Sequence, residues 1–265
     1  MKISTQQERL DNFRTQHPKF VECLPRIVEA IDFTLNHSGL SQLKTKADKA
    51  IFLLCNSIIC EFEELMHLCS GGFGIGSMKV LRGMYEKAVT ADFLMRNPND
   101  ALCFFAFHRI QDHKLKSELR RDSDGESPSF SRAERFRQKV DRKFKFKQKA
   151  CKECGKAPMP SWTKKSIREL AANSAYRLVD HYGFCYQAGT FHSHATLYGV
   201  AARLSLATSG ALSLVPTQEE QYIAPSLYRG HLLFLVALHI LNDQFSLGML
   251  DKLNDWNEDL RYWGA

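Results

Sequence analysis

Apolar residues recur three and four positions apart along most of this 265-residue chain, the spacing that lines one face of an α-helix. Phe20, Leu24, Ile27, Val28, Ile31 and Leu35 make the first such stripe, with Pro25 near its start and Ser38-Gly39 after its end. A second helix is predicted from about Ser41 to Cys69, stopped by Ser70-Gly71-Gly72, and a third from about Gly76 to Arg96, stopped before Asn97-Pro98. A fourth starts near Asn99 or Asp100 and continues to Arg121, where a stretch rich in Ser, Asp, Gly and Pro (122–131) reads as a loop. Ala133, Phe136, Val140 and Phe144 mark a basic helix, followed by a Cys- and Pro-punctuated connection from Ala150 to Trp162. Ser166-Ile167-Arg168-Glu169 has the spacing of a capping box and places a short helix there. Helical pattern returns from about Tyr176 to Thr208, with Gly183 and Gly189 as candidate breaks, and again from about Ser226 to Met249. No convincing pair of alternating strands is visible.

The predicted fold class is therefore all-α, a single helical bundle-like domain with a basic helical insertion. Residues 1–40 form an N-terminal helix, 41–121 and 157–250 the helical core, 122–156 the basic insertion, and 251–265 a C-terminal tail. With 44% hydrophobic and 25% charged residues the chain has the balance of a soluble globular protein, and fifteen Gly and eight Pro without a period exclude collagen and solenoids. The longest apolar run, Leu232 to Leu241, is interrupted by His239 and falls short of the roughly twenty residues a bilayer crossing needs, so it reads as a buried helix and no membrane is expected as partner. The first residues, Met1-Lys2-Ile3-Ser4-Thr5-Gln6-Gln7-Glu8-Arg9, lack the apolar core of a secretory signal, and the expected location is the cytoplasm. Eight cysteines, mostly within apolar helical stretches, read as free thiols rather than a disulfide framework.

The net charge of +7 is concentrated in one place. Residues 132–156 carry eleven Lys or Arg against Glu134, Asp141 and Glu153, a local +8, so the remainder sums to −1. Arg135, Arg137, Lys139, Arg142, Lys143, Lys145, Lys147 and Lys149 are the candidate contacts to a polyanion, because clustered cations release counterions from phosphates. The partner classes this admits are nucleic acid, RNA or DNA, and an acidic protein; a solvated basic helix with no partner is the third reading.

Four groups of residues carry candidate chemistry. Arg82 and Glu86 lie within about 40° of each other on the helix wheel, amid Ile75, Met78, Val89 and Phe93, which places an ion pair in an apolar face. Charges retained there serve either a site or a bridge between helices. Tyr182, Tyr186, Thr190, His194 and Tyr198 repeat every four residues and form a ridge, in which His194 is a proton donor or acceptor near neutral pH or a satisfied core histidine. The two stripes are expected to meet, with Arg82 or Glu86 in hydrogen-bond reach, directly or through one water, of Tyr186, Thr190 or His194. Cys151 and Cys154 have zinc-knuckle spacing without a second pair, and His181 with Cys185 would have to complete four ligands; no cofactor other than this zinc is suggested. Gly71-Gly72-Phe73-Gly74-Ile75-Gly76 lacks the Gly-Lys-Ser/Thr ending of a phosphate loop and reads more simply as a turn between helices.

Leu81-Arg82-Gly83-Met84-Tyr85-Glu86, Asn97-Pro98, the run Trp162 to Leu170, and Tyr186 followed by Thr190-Phe191-His192-Ser193-His194-Ala195-Thr196 together resemble the bacterial family catalogued as domain of unknown function 5677, over about residues 45–245. Arg82, Glu86 and His194 match its pattern, while Thr190 and Thr196 replace serines. The resemblance implies an all-helical protein with relatives similar to helical proteins of phage defence and toxin systems. The expected function is nucleic-acid engagement through the basic helix, with cleavage of RNA or DNA as the reaction if there is one. His194 would then act as acid or base, Arg82 would hold phosphate oxygens oriented by Glu86, and Tyr186 and Thr190 would complete the pocket. The alternatives are a scaffold that binds an acidic partner and a sensor of a small anion.

Overall fold

The computed structural model describes residues 5–36, 43–108, 111–112, 115, 135, 161–194, 204–206, 212–214 and 220–261. The all-α class holds. The first forty residues contain two helices rather than one, α1 (Gln6–Gln16) and α2 (Pro18–Asn36), parted at His17. A capping box opens α1: the Thr5 hydroxyl accepts the Glu8 N–H, and the Glu8 carboxylate accepts the Thr5 N–H. Thr45 and Asp48 repeat that exchange and start α3 (Lys46–Ser70) several residues later than the apolar pattern alone predicts.

Between α3 and α4 (Gly74–Arg96) the chain reverses at Gly72, whose φ of +78° favours a residue without a Cβ. The Phe73 N–H donates to the Leu68 carbonyl, and Arg9 of α1 donates to the Gly71 carbonyl at 2.9 Å. The glycine stretch is thus a helix-to-helix turn. A short 3-10 helix, Pro98–Asp100, follows, then helical residues 101–108. After Trp162 the predicted box forms, Ser166 and Glu169 capping α5 (Ile167–Ala172).

The helical pattern expected from Tyr176 to Thr208, with Gly183 and Gly189 as candidate breaks, forms three short elements up to Ser193 among the described residues. Arg177 takes a left-handed φ of 53°, then come a 3-10 helix (Leu178–His181), a π-helix (Tyr182–Ala188) and α6 (Gly189–Ser193), and His194 is extended. Further on, β1 (Leu204–Leu206) and β2 (Leu212–Leu214) pair antiparallel with Ser205 opposite Ser213. Three-residue strands give too little alternation to register as a pattern, which is why the sequence reads as helix there.

The helix α7 (Glu220–Phe245) begins six residues before the expected Ser226, and Leu250–Arg261, read as a tail, forms α8 with Leu253 and Trp256 buried. By length and composition α7 would suffice to cross a bilayer, yet 67% of its apolar window is buried inside the bundle. It packs with α3 and α4 as the three central helices. Phe62 of α3 stacks on Phe234 at 5.0 Å and on His231 at 5.9 Å, while Phe20 of α2 meets Phe62 edge-on. Leu65 closes over Gly230, where a Cβ would stand 3.0 Å from its side chain, so the glycine lets α7 and α3 approach. A Lys252–Glu29 ion pair joins α8 to α2.

Candidate functional site

Helix α4 is buried on nearly every side. Thr90 is buried and Lys87 is bridged to Glu61 of α3 at 2.5 Å, while Lys79 and Arg96 are exposed. Arg82 and Glu86 depart from the expectation of burial. Their side chains are 26% and 36% exposed, and Arg82 Nη2 donates to Glu86 Oε1 at 2.8 Å within the same helix. The apolar face on which the helix wheel places them is therefore the one whose edge opens to solvent.

The π-helix lies against this edge. The Tyr85 hydroxyl, from α4, donates to the Leu178 carbonyl at 2.8 Å, and the Tyr85 ring meets those of Tyr182 and Tyr186 at 6.4 Å. Tyr182 and Tyr186 stack on each other at 5.1 Å and 23°. Arg82 lies over the Tyr186 ring at 5.2 Å, and Arg168 of α5 over the Tyr182 ring at 5.8 Å. The result is a half-exposed ladder of two guanidiniums and two phenols, held by cation–π attraction and aromatic stacking. Burial pushes the Tyr182 hydroxyl above its ordinary pKa, with a further rise from Tyr186, and Arg168 opposes both. The ring therefore stays neutral and donates.

Close approach of α6 completes the arrangement. A Cβ at Gly189 would stand 2.8 Å from Arg82 Cβ and 2.8 Å from the Met78 carbonyl oxygen, so only glycine seats the helix there. The Thr190 hydroxyl donates to the Tyr186 carbonyl at 2.6 Å. His194 is exposed, just past the last helical turn, with its N–H on the Thr190 carbonyl. The structure thus brings Arg82, Glu86 and Tyr186 together through a ring contact and an ion pair, with Thr190 one turn away. The hydrogen bonds expected from Arg82 or Glu86 to Thr190 or His194 are not made among the described residues. Arg82 Nε is buried there without a hydrogen-bond partner. His192, the other histidine of this helix, is buried and meets Tyr222 of α7 edge-on at 5.2 Å.

Of the basic-segment candidates only Arg135 is described, as an exposed helical residue; Arg137, Lys139, Arg142, Lys143, Lys145, Lys147 and Lys149 lie outside the described residues, as do Cys151, Cys154 and Tyr198. No group of three or more His, Cys, Asp or Glu among the described residues is placed to hold a metal. Burial pushes the Cys185 thiol up to about 12, and the Arg229 charge opposes that rise. Sequence reasoning missed Arg168 as a partner of the tyrosines, because the contact joins two separate elements. It also missed the π-helix, whose only local signals are Gly183 and Gly189.

No curated protein matches the chain, and no solved structure does. Residues 48–211, well over half of the chain, match the family described as "Family of unknown function (DUF5677)". Arg82, Glu86, Tyr186, Thr190 and His194 all fall inside that segment, and the chain belongs to this family.

Proposed function

We propose that the protein binds nucleic acid, RNA or DNA, across two surfaces: the basic run 132–156 and the Arg168–Tyr182–Tyr186–Arg82 ladder. The ladder is the observation that carries this reading. Half-exposed aromatic rings flanked by guanidiniums suit a single strand, whose bases stack on aromatics and whose phosphates pair with arginine. The ladder's guanidiniums retain donors beyond the one Arg82 gives to Glu86. The eleven cations of 132–156 supply sequence-independent attraction to the backbone. A defence or toxin setting in the cytoplasm is what the family resemblance adds, and loss of growth on expression in bacteria is its readout.

Affinity for labelled single-stranded RNA and DNA, measured at two salt concentrations, tests the binding. The parent is expected to bind with little sequence preference and to weaken steeply with salt. Replacing Arg142, Lys143, Lys145, Lys147 and Lys149 with Gln should flatten the logarithmic salt slope by about three. A Tyr182→Leu, Tyr186→Leu pair should lower affinity by roughly tenfold or more at either salt, since stacking on each ring contributes about 1–3 kcal/mol. No binding by the parent would leave the acidic protein partner as the reading for the basic run.

The finer part of the proposal is phosphodiester cleavage, with exposed His194 as the general acid or base. The Gln side chain of His194→Gln can donate a hydrogen bond but cannot transfer the proton at a comparable rate. Because His194 is exposed, the variant is expected to melt within about 1 °C of the parent, as surface substitutions change stability little, while losing any cleavage by about 100-fold or more. Full cleavage by the folded variant would remove His194 from the chemistry.

A further inference from the structure

On the opposite flank of the π-helix stands an arginine that nothing in the ladder uses. Arg229 of α7 is half-buried, and its guanidinium lies 4.0 Å over the Phe184 ring and 6.0 Å from that of Tyr228. Arginine stays protonated at any ordinary pH and carries five donors. Yet the hydrogen bond Arg229 makes is a long one, 3.5 Å from Nη1 to the Pro225 carbonyl, and its Nε is buried with no partner among the described residues. Arg14, Arg82, Arg96 and Arg177 each stand beside a carboxylate, of Asp11, Glu86, Asp92 and Asp180, and Arg9 donates to the Gly71 carbonyl. A partly desolvated cation without a counter-charge is costly, and the fold keeps this one over an aromatic ring.

The surroundings are those of a site rather than of a packing accident. Phe184 belongs to the π-helix, an element that is rare and recurs where proteins bind or react. It is preceded by Arg177, held in a left-handed conformation that a branched or long side chain seldom adopts. His181 and Cys185 lie one turn apart on the segment, close enough to Arg229 to feel its charge. Burial and the Arg229 charge hold His181 below the ordinary histidine pKa, against a smaller opposite pull from Asp180, so near pH 7 the imidazole is neutral and offers one N–H.

We propose that Arg229 and His181 form a second binding site, separate from the ladder, for a tetrahedral phosphate group, either free phosphate or a phosphate monoester. A guanidinium fixed on Phe184 presents its two terminal nitrogens, Nη1 and Nη2, as a fork that fits two phosphate oxygens, and the His181 N–H supplies the third contact. Phosphate would provide the counter-charge that Arg229 lacks among the described residues.

Thermal melting of the full-length protein at constant ionic strength, with chloride exchanged for inorganic phosphate or for methyl phosphate, tests this. The expected result is a saturable rise of about 3 °C or more at ten times the dissociation constant. A response to methyl phosphate identifies an esterified group as acceptable, and a response to inorganic phosphate alone identifies the free ion. Arg229→Gln should abolish the rise, Arg229→Lys should retain part of it, and His181→Asn should weaken it about tenfold in dissociation constant. Should Arg229→Gln not fold, the lysine variant and a phosphorus-31 line-broadening titration of the parent decide. An Arg82→Gln variant must keep the full response, which separates this site from the nucleic-acid reading. Equal melting temperatures in chloride and phosphate, or a response that survives Arg229→Gln, would overturn the proposal.

Discussion

Acidification from pH 7 to pH 4 is expected to remove about 3 kcal/mol of stability through one residue, His231. Its imidazole is 4% exposed, stacked on Phe62 and flanked by Phe20 and Phe234. Burial first, and the charge of Arg26 second, lower its pKa from 6.5 to about 4. The folded state therefore keeps His231 neutral where the unfolded chain takes up a proton. Stability from this group is complete above about pH 6.5, declines as pH falls through the window, and stops changing below about pH 4. His17, His181 and His239 are all lowered by burial first and contribute with the same sign. Chemical denaturation at pH 7.5, 6, 5 and 4 measures the loss. A His231→Phe variant, apolar and similar in shape among these rings, should lose less than half as much over the same range; an identical pH profile would show that the acid sensitivity resides elsewhere.

Substituting Gly189 with Ala is expected to destabilise the protein by about 2 kcal/mol and to lower its melting temperature by roughly 4–8 °C. The added methyl would meet the Met78 carbonyl oxygen and Arg82 Cβ, each at 2.8 Å, and the first of these is backbone in the buried second turn of α4. Since α4 cannot yield, α6 and the end of the π-helix must move away from it, and Tyr186 with them. Gly183→Ala is the control: nothing lies within 4 Å of a Cβ there, and its melting temperature should stay within about 1 °C of the parent. If the ladder binds nucleic acid, Gly189→Ala should also weaken binding in the remaining folded protein, because Arg82 and Tyr186 no longer face each other. Equal melting of the two variants would mean that α6 is not seated on α4 as described.

The apolar period was sufficient for the fold class, and the capping rule was sufficient for one helix start, Ser166-Ile167-Arg168-Glu169. Thr5-Gln6-Gln7-Glu8 and Thr45-Lys46-Ala47-Asp48 satisfy their first orphan N–H groups in the same local way, but the apolar stripes drew the reading to later or earlier starts there. Arg82 and Glu86 were legible as a pair because i and i+4 share a helix face. Tyr186 and Thr190 were legible for the same reason, on the assumption of α-helical spacing through the segment.

That assumption is where local reasoning ended. An α-helical wheel extended through Tyr182–Ala188 misplaces every side chain beyond it, because a π-helix advances by a different angle per residue. Whether a segment widens in this way depends on what it packs against: here Tyr85 bonds the Leu178 carbonyl and Gly189 admits the backbone of α4. Exposure followed the same logic. The wheel correctly placed Arg82 among apolar neighbours, but only the position of the π-helix decided that this face has an open edge, leaving the pair 26% and 36% exposed. Arg168 over Tyr182 and Arg229 over Phe184 join elements far apart in the chain, and such contacts have no sequence period to announce them. The sequence by itself determined the helices, their caps and the pairs within one turn, because those follow from interactions over four residues. The tertiary structure alone decided the ladder and the uncompensated Arg229, because both depend on which helix faces which.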